Sequence, residues 1–157
     1  MNKFKSQLDA LLVTLKAVTS KKSFDIEGWY HEVSEKEAAC GFAACICGHE
    51  AASGTTPVFE NIRAHDKDVT EQARQIAFAL KKECRVLFGA TELAKAIFSG
   101  CSQDRFKNAC ESGLFTSCQL RHPHLHRASP TLKQAISFLE LASTKVDKRL
   151  QELELVE

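Results

Sequence analysis

From Ala38 to Ala52 the chain reads Ala-Ala-Cys-Gly-Phe-Ala-Ala-Cys-Ile-Cys-Gly-His-Glu-Ala-Ala. Side chains this small bury little apolar surface themselves. What they permit is close approach, because protein interiors are dense and a second backbone can settle onto a smooth face. The run predicts a helix over 41–52, central and buried, stopped by Ser53-Gly54-Thr55-Thr56-Pro57. On such a helix Gly41 and Gly48 share one side, with Ala44 and Ala51 on adjoining positions.

Other elements must then supply bulk around it. Phe4, Leu8, Leu11, Leu12, Leu15 and Val18 recur at helical spacing and predict a first helix over 2–18. Phe24 to Tyr30 contains Gly28 and reads as a turn or loop packed by Phe24 and Trp29. Residues 58–68 fit either a loop or a short helical turn anchored by Val58, Phe59 and Ile62. Asp68, with Glu71 three residues on, has the form of a helix cap and its reciprocal partner. A helix over 69–88 follows, turning Val69, Ala73, Ile76, Ala77, Leu80, Cys84, Leu87 and Phe88 inward and ending at Gly89.

Shorter helices are expected from Thr91 to Phe98 and over 103–111, then irregular chain over 114–128. Ser129-Pro130 starts a last helix over 130–153. Along it Leu132, Ile136, Leu139, Val146, Leu150 and Leu153 form a seam, which serves either as an edge on the chain's own core or as a dimer contact. The expected fold is mainly α: a single compact domain over 1–157, of five or six helices with a long C-terminal one. With only 7 Gly and 3 Pro among 157 residues, breakers are scarce, which favours helices, and 10 Phe supply aromatic core.

Composition bounds the function. The chain is 44% hydrophobic and 26% charged, the balance of a globular protein. The first apolar stretch, over 8–15, is interrupted by Asp9 and Thr14 and followed by Lys16, unlike a secretory leader, and no stretch approaches a membrane span. The expectation is a soluble, cytoplasmic protein. The seven cysteines are odd in number and are read as thiols, several acting as small hydrophobes. Net charge is +1, but residues 23–80 carry four basic and ten acidic side chains while residues 81–133 carry nine and four. So segregated a surface suits a charged partner better than a catalytic pocket.

Phe24-Asp25 with Trp29, followed by Cys40, Gly41, Ala44, Cys45, Gly48 and Ala51, resembles a pattern in small uncharacterised phage and bacterial proteins. There a Phe-Asp-x-x-x-Trp element precedes Cys-Gly-x-x-Ala-Cys-x-x-Gly. The resemblance covers roughly a fifth of the chain and departs at position 42, where Phe42 stands in place of a small residue. It implies a viral or mobile-element origin and carries no activity with it. Physically the pattern reads as packing, since Cys40 and Cys45 point to different sides of a helix and cannot bridge there.

Two clusters carry possible chemistry. Cys40, Cys45, Cys47, His49 and His31 have zinc-ligand side chains, but the Cys-x2-Cys spacing of a zinc knuckle is missing and a helix would scatter them. His122, His124 and His126 alternate and would face one way in extended chain. Flanking Arg121 and Arg127 disfavour a cation there and favour an anion or an acidic surface. With Arg105 and Lys107 these form the expected partner-binding surface.

Lys81, Lys82 and Arg85 join the same basic region, which leaves a nucleic-acid reader open, although a pI near 7.6 is low for one. The chain has no phosphate loop, nucleophile elbow or His-Glu-x-x-His signature. The expected function is therefore non-enzymatic: a binding or inhibitory accessory protein, phage-encoded, acting as monomer or homodimer on a host protein or complex without a cofactor. The alternatives are a zinc-containing nucleic-acid module and a small thiol-dependent enzyme.

Overall fold

Asn2 begins the first helix as its cap, its side chain accepting the Lys5 backbone N–H at 3.1 Å, and α1 runs Lys3–Lys16. The computed structural model describes residues 2–19, 21–24, 29–34, 36, 41–53, 57–65, 68–89 and 132–156. The helices expected over 91–98 and 103–111, the irregular stretch 114–128 and the Ser129-Pro130 start lie outside them.

Helix α1 buries the expected stripe of Phe4, Leu8, Leu11 and Leu15, and also a second face of Gln7, Ala10 and Thr14. Two buried faces need neighbours on both sides. The small-residue helix and the long helix over 69–88 both pack against α1, and so does the C-terminal helix. The first helix, not the small-residue segment, is the element on which these three helices all pack.

The small-residue segment is buried as expected, from Ala43 through Ala51, but it is not one helix. Gly41 has φ +78°, in the left-handed region that glycine enters without steric cost and that a regular helix does not use. Phe42–Ala43 forms strand β2, paired antiparallel with β1, His31–Glu32, in the register His31 to Ala43 and Glu32 to Phe42. The hairpin continues with the Val33 N–H donating to the Gly41 carbonyl at 3.0 Å. Only then does α2 begin, Ile46–Ser53. Gly41 and Gly48 therefore do not share a helix side, because the chain turns between them.

A 3-10 turn, Pro57–Phe59, leads into α3, Glu60–His65, and Phe59 is fully buried, so the ambiguous 58–68 stretch is largely helical. Helix α4, Val69–Phe88, has the expected bounds. Asp68 accepts the Thr70 N–H at 2.9 Å, and Gly89 closes the helix at φ +71° with its N–H on the Arg85 carbonyl.

Helix α5, Leu132–Val156, lies against α1. Its buried line is Leu132, Ala135, Phe138, Leu139, Ala142 and Val146, while Ile136 and Leu150 are half-buried and Leu153 is exposed. The expected seam thus rotates to admit Phe138 and packs on the chain's own core. Register against α1 is set by polar groups: Lys5 Nζ lies 3.1 Å from Asp147, and Lys16 Nζ lies 3.2 Å from Glu140, so the two helices run antiparallel. Arg149 Nε donates to the Leu87 carbonyl at 3.2 Å, placing a cation at the negative end of α4. The fold is mainly α, with one two-stranded ribbon among the described residues. No described helix is long and apolar enough to cross a membrane.

Candidate functional site

The described motif residues around the start of α2 meet one another, and the contacts they make are scaffold, while Asp25 lies outside the described residues. The Ala44 N–H donates to the Ser23 carbonyl at 2.9 Å, so Phe24 forms a parallel bridge with Ala44. Cys45 caps α2: its carbonyl accepts the His49 N–H at 2.9 Å and its sulfur accepts the Gly48 N–H at 3.3 Å, the role usually given to Ser or Asp. The same sulfur lies 3.8 Å from the Trp29 carbonyl oxygen. Gly48 is required because a β-carbon there would sit 1.7 Å from that oxygen and 2.7 Å from the Ala44 β-carbon. The close approach expected of the small-residue run is real, but the backbone that approaches belongs to Trp29, not to a second helix.

His49 is buried, its ring near Phe24 at 6.4 Å and Phe42 at 5.2 Å between centroids. Its Nε2 is 2.6 Å from the Ser23 carbonyl, an acceptor only, so Nε2 carries the hydrogen and donates. Burial lowers its pKa below the usual histidine value, partly offset by that hydrogen bond. Next to it, fully buried Glu50 accepts from the Thr14 hydroxyl and so links α2 to α1.

These placements bear on the zinc candidates. Cys45 and Cys47 are buried thiols, Cys45 is engaged as a cap, and His49 Nε2 is engaged with Ser23. His31 sits in exposed β1. Among the described residues no three His, Cys, Asp or Glu side chains converge as a metal would require. Cys40 lies outside the described residues, as do Arg105, Lys107, Arg121, His122, His124, His126 and Arg127, the expected partner-binding set.

A different surface is presented by α4. Its inner arc buries Ala73, Ile76, Ala77, Leu80, Cys84 and Leu87. The opposite arc carries Arg74, Phe78, Lys81, Lys82, Arg85 and Val86. Phe78 is 72% exposed and Val86 75%, large apolar groups left in water on a helix otherwise well sorted. Phe78 stands between two shallow clefts, one of about 240 Å³ lined with Trp29, Arg74, Ala77 and Lys81, the other of about 380 Å³ lined with Lys81, Lys82, Arg85 and Val86. Arg74 pairs loosely with Glu71 at 3.4 Å. No ion pair engages Lys81, Lys82 or Arg85 among the described residues.

Sequence reasoning found Lys81, Lys82 and Arg85 as a basic run and read Trp29 as loop packing, but missed Phe78, Val86 and Arg74. The signal was present, since once 73, 76, 80, 84 and 87 are placed inward, 78 falls diametrically outward. No protein-family profile, curated protein or solved structure matches this chain.

Proposed function

We propose that this chain is a non-enzymatic docking protein that binds an acidic protein surface through the outward arc of α4, as an accessory or inhibitor acting on a host macromolecule. The observation that carries this reading is the pairing of exposed Phe78 and Val86 with the cations Arg74, Lys81, Lys82 and Arg85 on one helix face. Apolar anchors supply affinity, while a ring of like charge steers and selects the partner. Among the described residues, the thiols and the imidazole of His49 serve the fold itself. Cys45 and His49 hold the β2–α2 junction, and Cys47 and Cys84 are buried among apolar neighbours. The phage-like motif agrees with a host-directed role and adds nothing about the partner.

The test places the photoreactive residue p-benzoylphenylalanine at position 78, isolates the conjugated partner, and measures its binding to the purified chain. A K81E/K82E/R85E variant should bind at least tenfold more weakly while unfolding at the same urea midpoint. Unchanged affinity would remove α4 as the contact surface.

A further inference from the structure

We infer that the segment received on α4 is itself an acidic amphipathic helix, with two apolar anchors about two turns apart. This rests on the docking reading above and specifies its occupant.

Three observations carry it. The receiving arc is on a regular helix, whose backbone groups are already paired internally, so it offers no edge to which an extended strand could add; recognition has to run through side chains. Phe78 and Val86 are eight residues apart on a straight element, which places them about 12 Å apart along the axis. A partner helix whose apolar residues recur at i and i+7 presents anchors at nearly that spacing, one against Phe78 at the smaller cleft and one against Val86 at the larger. Finally, each cleft has a cationic border, Arg74 and Lys81 at the smaller and Lys81, Lys82 and Arg85 at the larger, where flanking Glu or Asp of the incoming helix would lie, as the charges beside a helix–helix seam do.

A single-stranded nucleic acid fits less well. The aromatic rings Phe78 and Trp29 meet at the smaller cleft alone, and farther along the arc the exposed apolar group is Val86, which is aliphatic and gives a base nothing to stack on.

Trp29 makes the inference directly measurable. It is the one tryptophan of the chain and lines the smaller cleft, so its emission reports an occupant there. The probe is a synthetic, side-chain-stapled helical peptide without Trp, bearing two Leu seven residues apart on one face and Glu beside them. It is titrated into the full chain and followed by Trp29 fluorescence and by backbone amide shifts. Saturable binding is expected, with shifts confined to 74–86 and Trp29, weakened at least tenfold by F78S and by K81E/K82E. The same composition with two central prolines should bind at least tenfold more weakly.

If the proline-broken peptide binds α4 equally well, the helical occupant is wrong and docking survives. If a deoxythymidine oligonucleotide binds on 74–86 and neither peptide does, the helix inference and the protein-docking reading both fall. If none of the probes shifts 74–86, the helix inference is overturned, and the docking reading is decided by the partner conjugated at position 78.

Discussion

The carbonyl oxygen of Trp29 lies where a side chain on Gly48 would have to be, 1.7 Å from the ideal β-carbon position. The obstacle is backbone, which cannot swing aside as a side-chain tip can. Gly48→Ala should therefore destabilise the fold by roughly 1–3 kcal/mol, the range for overpacking a tight interior. The urea midpoint reads this. Ala51→Gly, also in α2, should lower it less. Because Ala favours a helix over Gly by about 1 kcal/mol, an unchanged or raised midpoint in Gly48→Ala would show that the Trp29 contact does not matter.

Cys45 acts through a sulfur that accepts a backbone N–H at a helix start. A hydroxyl can do the same, so Cys45→Ser should keep most of the stability, whereas Cys45→Ala should cost about 1 kcal/mol, as cap removal does. Buried thiols are slow to react. In the native chain Cys45, Cys47 and Cys84 should resist alkylation for hours and react promptly in denaturant, as mass spectrometry of tryptic peptides would show.

His49 couples stability to pH. Its folded pKa is depressed below 6.5, so in the window between that depressed value and about 6.5 the unfolded chain binds a proton that the folded chain does not. Stability from this group is full above that window and declines as pH falls through it. Urea midpoints at pH 7.5 and 5.5 should differ more for the wild type than for His49→Gln. Equal differences would assign the acid sensitivity elsewhere.

Removing the Thr14 hydroxyl leaves the Glu50 carboxylate without one of its donors in a fully buried place. Thr14→Val should cost roughly 1–3 kcal/mol despite its near-identical shape. Pairing it with Glu50→Gln should recover part of that, giving a double-mutant cycle with clear coupling.

On the outward arc of α4 the expectation is reversed. Phe78→Ser and Lys82→Glu remove groups that the fold does not use, so their unfolding midpoints should stay within about 0.5 kcal/mol of wild type. Partner binding through this arc should weaken as salt rises from 50 to 300 mM, because exposed charges are screened. Binding insensitive to salt would argue against the cationic ring as a recognition element.

The long helices were legible because one periodicity runs through each. Residues 69–88 declare a helix by spacing, by Asp68 at one end and by Gly89 at the other, and the structure follows them. The stretch over 41–52 was misread for a physical reason. Ala, Cys and Gly leave no periodicity to distinguish strand from helix, so nothing in those residues marked the change at Cys45. The β-ribbon is fixed by partners at 23–24 and 31–33, which local reasoning does not see. The α4 surface was half visible: three of its cations stood out, while Phe78 and Val86 fell outside the inward set and were not read as a surface, because a lone apolar residue in water is ordinary.

Lys5 meets Asp147, and the C-terminal helix, with Phe138, Ala142 and Val146 buried, lies against α1. As the chain leaves the ribosome, α1 is therefore made long before the helix that shelters one of its faces. Residues 3–16 must wait through more than a hundred further residues with leucines uncovered. For that interval the nascent chain depends on whatever receives exposed helices in the cell, and its folding closes late, in a step that brings its two most distant helices together.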